Sequence, residues 1–169
     1  MTTMTETSVP TQVYRVYIKA TPQAIWDAIT TPEWTERYGY GGLVDYDLRA
    51  GGRFVMRPGA AMAASPGVPD VIIDGEVVEA EPPRRLVQTW RMLMDPGLTA
   101  EGFTRVSYEI GEPGEDGVTR LTVTHDLTNA PTLAALVRGD SESAGGGGGW
   151  SWILSDLKTL LETGTAFQG

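Results

Sequence analysis

The spacing of apolar residues changes several times along the chain, and each change marks an element. From Val13 to Ala20 the pattern alternates, with Tyr14, Val16 and Ile18 on one face and Arg15, Tyr17 and Lys19 on the other. Strict alternation is the period of a half-buried strand. Thr21-Pro22 then supplies an N-cap and a proline at the first helical position. Ile25, Trp26, Ala28 and Ile29 follow at helical spacing. Thr31-Pro32 repeats the start signal for a second short helix through Glu33, Trp34 and Arg37, closed by Gly39, Gly41 and Gly42.

Period two returns after those glycines. Val44, Tyr46 and Leu48 alternate with Asp45, Asp47 and Arg49. Gly51-Gly52 then turns the chain into Arg53–Arg57, where Phe54 and Met56 are apolar. Pro58 to Asp70 is rich in Pro, Gly and Ala and reads as a loop. Val71–Ala80 and Leu86–Met94 form one predicted strand pair, and Thr104–Ile110 and Val118–Asp126 form another. A long connection, Leu127 to Gly149, holds one short helical patch at Thr132–Val137. Last, Trp150, Ile153, Leu154, Leu157, Leu160 and Leu161 fall at helical spacing, and Gly164 stops the helix. The order is strand, two short helices, six strands, long helix. Sequential hairpins imply an antiparallel sheet whose apolar face is covered by the last helix.

Charges predict the registers. Placing Ala80 opposite Arg85 puts Asp74 opposite Arg91 on the outer face, and Val71, Ile73, Gly75, Val77, Gln88, Trp90, Met92 and Met94 on the inner one. Placing Ile110 opposite Leu121 pairs Arg105 with Asp126 outside and turns Val106, Tyr108, Val123 and His125 inward. The short turns Glu81–Arg84 and Glu112–Gly117 then lie at one end of the sheet. The connections Pro58–Asp70, Asp95–Glu101 and Leu127–Gly149 converge at the other. Long loops over a Met- and Trp-bearing end predict a pocket entrance there.

Several stretches also resemble a known family. Residues 17–28, Tyr-Ile-Lys-Ala-Thr-Pro-Gln-Ala-Ile-Trp-Asp-Ala, are similar to the opening of the START-like, helix-grip (SRPBCC) superfamily. Residues 47–54, Asp-Leu-Arg-Ala-Gly-Gly-Arg-Phe, resemble its D-L-R-x-G-G-x-F turn. The run Asp74–Glu79, then Pro82–Val87 and Thr89-Trp90, resembles the subfamily named for the activator of Hsp90 ATPase homologue (AHSA1-like). Gly149-Trp150 with Leu154, Leu157-Lys158 and Leu160–Glu162 resembles its closing helix. The resemblance runs over about residues 12–164. It implies an α+β helix-grip fold, a curved antiparallel sheet of about seven strands wrapped around a long C-terminal helix. Residues 1–11 then form a mobile tail, and residues 12–169 a single START-like domain. Members of the superfamily bind hydrophobic small molecules, act as polyketide cyclases or related enzymes, or serve as co-chaperones. The five-glycine run and the loop containing Met62 depart from the family pattern.

Composition narrows the function classes. The 169 residues carry 13 basic and 22 acidic side chains, a formal charge of -9, so a nucleic-acid partner is not expected. There is no cysteine and a single histidine, His125, so neither a metal site nor a thiol nucleophile is implied, and no cofactor is expected. The first eleven residues lack the basic and apolar regions of a signal peptide. No apolar run reaches the roughly 18 residues of a membrane span. The expectation is a cytoplasmic protein with no membrane partner.

His125 is the one side chain whose ordinary pKa lies near neutrality. It reads either as a general base or ligand hydrogen-bonder, with Tyr108 diagonal to it, or as a sheet-end histidine beside a loop. Gln88 and Tyr108 would orient a carbonyl or hydroxyl, or satisfy buried water. The predicted ligand wall is Ile73, Gln88, Trp90, Met92, Met94, Val106, Tyr108, Val123 and His125 from the sheet, with Trp150, Leu154 and Leu157 from the last helix. Gly145–Gly149 carries no phosphate-loop motif and reads as a hinge for a lid over 127–149, or as a plain linker. Three functions follow in order. The first is a carrier or sensor of a hydrophobic or aromatic small molecule. The second is a cyclase or aldolase-type enzyme using His125 as base and Tyr108 as donor. The third is a co-chaperone-like domain. A homodimer and a chaperone partner are open within these readings.

Overall fold

A computed structural model describes residues 10–144 and 147–167. Seven strands form one antiparallel sheet in the order β1-β7-β6-β5-β4-β3-β2. They are β1 (Thr11–Lys19), β2 (Leu43–Tyr46), β3 (Arg53–Arg57), β4 (Ile73–Glu81), β5 (Arg85–Met92), β6 (Thr104–Ile110) and β7 (Val118–Asp126). Helices α1 (Pro22–Thr30) and α2 (Pro32–Thr35) follow β1. Three short helices, α3 (Ala60–Ala63), α4 (Pro96–Ala100) and α5 (Pro131–Arg138), sit in the long connections. The C-terminal α6 (Gly149–Thr163) closes the fold. This is the helix-grip α+β architecture: a curved sheet around its last helix.

Local chemistry explains the element starts. The Thr21 side chain accepts from the Ala24 N–H at 3.1 Å and caps α1. Thr31 serves α2 differently, since its hydroxyl donates back to the Asp27 carbonyl at 2.6 Å and gives no side-chain cap. The connections read as loops contain the short helices α3 and α4, each about one turn long and too short for a periodic signal. The strand expected through Leu48 ends at Tyr46. The Asp47 carboxylate there pairs with Arg49 at 2.8 Å, and Leu48 is exposed. The expected tail lies outside the described residues up to residue 9, and Thr11 already belongs to β1.

The β6–β7 register matches the charge argument, with Arg105 opposite Asp126 and Ile110 opposite Leu121. The β4–β5 register matches it at one end only. Asp74 faces Arg91, with two hydrogen bonds at 2.8 and 3.0 Å, but at the turn Ala80 faces Leu86 and Glu81 faces Arg85. An irregularity between Val77 and Glu79 absorbs the one-residue difference. Gly75 sharpens the bend nearby, because a Cβ there would sit 2.0 Å from the Thr89 carbonyl oxygen. β2 and β3 continue the sheet beyond β4, and their Tyr46, Phe54 and Met56 reach the same cavity as residues of β5 and β6.

Helix α6 also closes the sheet's β1 edge. The Lys158 ammonium donates to the Tyr17 carbonyl at 2.7 Å, and the Lys19 N–H donates to the Glu162 carboxylate at 2.8 Å. Open edge groups are thereby satisfied by side chains of the helix. Among the described residues, no helix is long and apolar enough to cross a membrane.

Candidate functional site

The concave face and α6 do not meet everywhere. Between them lies a cavity of about 450 Å³, a size that takes a drug-sized molecule. Helix α6 presents Trp150, Ile153, Leu154 and Leu157, which share one face at the i, i+3, i+4, i+7 spacing. The opposite wall is sheet: Tyr46, Phe54 and Met56 from β2 and β3, Ile73 from β4, Trp90 and Met92 from β5, Tyr108 from β6. At the rim stand Tyr40, Met62, Met94, Leu136 and Gly147. These rim residues come from the α2–β2 connection and from the three long loops. Among the described residues, no Asp, Glu, Lys or Arg lines the cavity.

Eight of the twelve expected wall residues line it: Ile73, Trp90, Met92, Met94, Tyr108, Trp150, Leu154 and Leu157. Gln88, Val106, Val123 and His125 do not, and each is fully buried. For His125, the Trp90 and Trp150 rings pack against it on the cavity side, and Gln88 is covered by its bond to Tyr46. Trp90 meets His125 edge-on at 5.2 Å, and Trp150 meets both His125 (6.0 Å) and Tyr108 (6.1 Å) edge-on.

His125 therefore does not sit at a solvated sheet end. The Trp150 indole N–H donates to its Nδ1 at 3.1 Å. Nε2 must then carry the ring proton, and it donates to the Thr104 hydroxyl at 2.8 Å. That hydroxyl donates onward to the Trp90 carbonyl at 2.8 Å. Both nitrogens are committed, and the tautomer follows from the partners. Burial lowers the His125 pKa to about 3, against a smaller opposing pull from Asp126. The ring is neutral at physiological pH and offers no base to the cavity.

The tyrosines were the less legible part. Tyr38 donates to the Ala28 carbonyl at 2.8 Å, and Tyr46 donates to the Gln88 side-chain oxygen at 2.6 Å. Burial pushes the hydroxyl pKa of Tyr38, Tyr46 and Tyr108 up, so all three stay protonated. Each nevertheless keeps accessible surface, because part of each ring faces the cavity rather than bulk water. Tyr46, Phe54 and Met56 were readable as alternating apolar positions. What lacked a signal was the bend that brings β2 and β3 over the same space. Tyr38 and Tyr40 lie in a connection with no periodicity at all.

Two contacts hold the rim. The Glu101 carboxylate accepts from the Thr132 and Leu133 N–H groups, both at 3.0 Å, and so caps α5. Buried Asp156 on α6 accepts from the Gly39 N–H at 2.8 Å and the Phe167 N–H at 2.7 Å. Of the expected glycine hinge, Gly145 and Gly146 lie outside the described residues, while Gly149 begins α6.

A family model described as Activator of Hsp90 ATPase homolog 1-like protein matches residues 19–162. Among curated proteins none matches. Among solved structures, the chain is similar to CalU16 from Micromonospora echinospora, with 24% identity over 80% of this chain and 72% of that one (TM-score 0.54). It is similar to PFC0360w, an Hsp90 activator from Plasmodium falciparum, with 18% identity over 89% and 95% (TM-score 0.62). It also resembles the Aha1 dimer from Colwellia psychrerythraea, with 20% identity over 91% and 97% (TM-score 0.60). At these identities the likeness is one of fold.

Proposed function

The chain belongs to the Activator of Hsp90 ATPase homolog 1-like family, and from that premise we propose that it binds a hydrophobic or aromatic small molecule, as a carrier or sensor, between the sheet and α6. One observation carries this reading: an internal space of about 450 Å³ walled by aromatic, Met and aliphatic side chains, with no charged side chain among the described residues that line it. Burying a ligand there gains roughly 25 cal/mol per Å² of apolar surface before ordering costs. Flexible Met56, Met62, Met92 and Met94 let the wall adapt to the ligand's outline.

A cyclase or aldolase-type reaction draws less support. Its proposed base, His125, is neutral and stands behind the wall, and Tyr108 alone supplies no proton acceptor of suitable strength. The co-chaperone reading would use the outer surface. Its support is that two proteins of similar fold are an Hsp90 activator and an Aha1 dimer.

Native mass spectrometry of the purified protein, followed by thermal unfolding with a panel of uncharged aromatics, tests the proposal. A ligand that binds only the folded state raises the midpoint by mass action. The expected result is stabilisation by at least one aromatic, weakened in Met92→Trp, where the bulkier indole narrows the space. Failure of every compound to bind would put a protein partner first.

A further inference from the structure

The wall of this cavity has a hydrogen-bonding polarity, and Tyr108 sets it. Tyr38 and Tyr46 donate to the Ala28 carbonyl and the Gln88 side chain, and the Tyr40 hydroxyl, at the exposed rim, accepts from the Gly149 N–H. The Tyr108 hydroxyl has no hydrogen-bond partner among the described residues, and no hydrogen bond contributes to its upward pKa shift. It is not sealed in the core either. Among the described residues, Gln88 Nε2 is the buried side-chain polar atom without a partner, and Tyr108 is not such an atom. An unpartnered hydroxyl that keeps accessible surface, on a ring lining the cavity, presents its proton to whatever occupies that space.

Its surroundings restrict the partner. Trp150 holds the ring edge-on at 6.1 Å. The indole cannot turn freely, because its own N–H is tied to His125. Among the described residues, the lining carries no charged side chain. A carboxylate or ammonium brought in from water would lose its hydration with no counter-charge to replace it. A neutral carbonyl oxygen has a far smaller hydration to lose, and it accepts from a phenol well.

We propose that Tyr108 is a specificity-determining donor, selecting uncharged aromatic ligands that carry a carbonyl oxygen over both their carbonyl-free and their charged analogues. This rests on the reading of the cavity as a small-molecule site. It assigns no reaction; Tyr108 only donates a hydrogen bond.

Fluorene and fluorenone test it, because they share one ring system and differ by the carbonyl. A fluorenone carboxylate adds the charge. Binding is read from quenching of tryptophan emission in the full-length protein, since Trp90 and Trp150 both line the space. Wild type is expected to prefer fluorenone to fluorene by about tenfold, the scale of one well-made hydrogen bond. The carboxylate is expected to bind at least about tenfold more weakly than fluorenone. In Tyr108→Phe, fluorene binding is retained and the preference falls to within about twofold. Tyr108 makes no internal hydrogen bond that the change would break, and thermal unfolding verifies the fold. Tyr17→Phe, at an exposed position away from the cavity, keeps the preference. Equal affinities in wild type, or a preference that survives Tyr108→Phe, would overturn the assignment while leaving the cavity reading intact. If neither hydrocarbon nor ketone binds wild type, the cavity reading itself fails and the assignment falls with it.

Discussion

The Trp150 indole N–H donates to His125 Nδ1 across 3.1 Å, and this bond joins the first turn of α6 to the end of β7. Through Thr104 the same chain reaches the backbone of β5 at Trp90. The sole histidine thus fixes a cavity wall from behind. Protonating it would place an N–H against an N–H, so the bond exists only with the neutral ring.

That arrangement has a pH signature. His125 ordinarily titrates near 6.5, and in the folded protein near 3. Between these values the unfolded chain binds one proton more, so stability rises with pH and is lost as pH falls through this window. The slope from this group is about 1.4 kcal/mol per pH unit at most. Urea unfolding of wild type and His125→Gln from pH 3 to 7 isolates it, since carboxylates titrate in both. Gln supplies an acceptor and a donor but no titration, so its curve should be flatter. Parallel curves would show that His125 does not carry the linkage.

Tyr46 and Gln88 should behave as a coupled pair. Tyr46→Phe leaves a fully buried amide oxygen without its 2.6 Å donor, on an amide whose nitrogen already lacks a partner. We expect a loss of about 1–3 kcal/mol. Adding Gln88→Leu removes the orphaned amide and should recover most of that loss. A double-mutant cycle by chemical denaturation measures the coupling, and simple additivity would contradict it.

Gly149 is a close-approach position. Its φ is 67°, and a Cβ would lie 2.0 Å from the Val137 carbonyl oxygen. Gly149→Ala must push α5 away from α6 as well as strain the backbone. The expected cost is at least about 1–3 kcal/mol. Because Leu136 and Val137 of α5 line the cavity, hydrogen exchange in α5 should also accelerate. Unchanged exchange there would argue against the contact.

Asp156 ties the rim together. Asp156→Ala removes both acceptors from the Gly39 and Phe167 N–H groups. We expect it to cost about 2–4 kcal/mol, and Asp156→Asn less, because one amide oxygen can still accept. For a chain of this length that corresponds to a fall in Tm of very roughly 5–15 °C. A Tm shift below one degree in Asp156→Ala would show these bonds to be dispensable.

The element order was legible because periods of 2.0 and 3.6 are local properties of the chain. Strands, caps and the α6 stripe of Trp150, Leu154 and Leu157 needed no partner to be read. The Arg105–Asp126 and Asp74–Arg91 pairings followed from charge across two hairpins. The irregularity between Val77 and Glu79 did not, because it leaves alternation intact on either side and shows only in the pairing.

By itself, then, the sequence determined the fold class, the inward face of each central strand, and the loop end where the cavity opens. All three depend on residues near one another along the chain or across one hairpin. Only the tertiary structure decided that His125 stands behind the wall while Tyr108 stands on it. Both are inward on adjacent strands, and alternation cannot tell them apart. What separates them is the position of the Trp90 and Trp150 rings, brought by the neighbouring β5 and by the last helix. Depth within a face depends on packing between remote segments, and no local period encodes it.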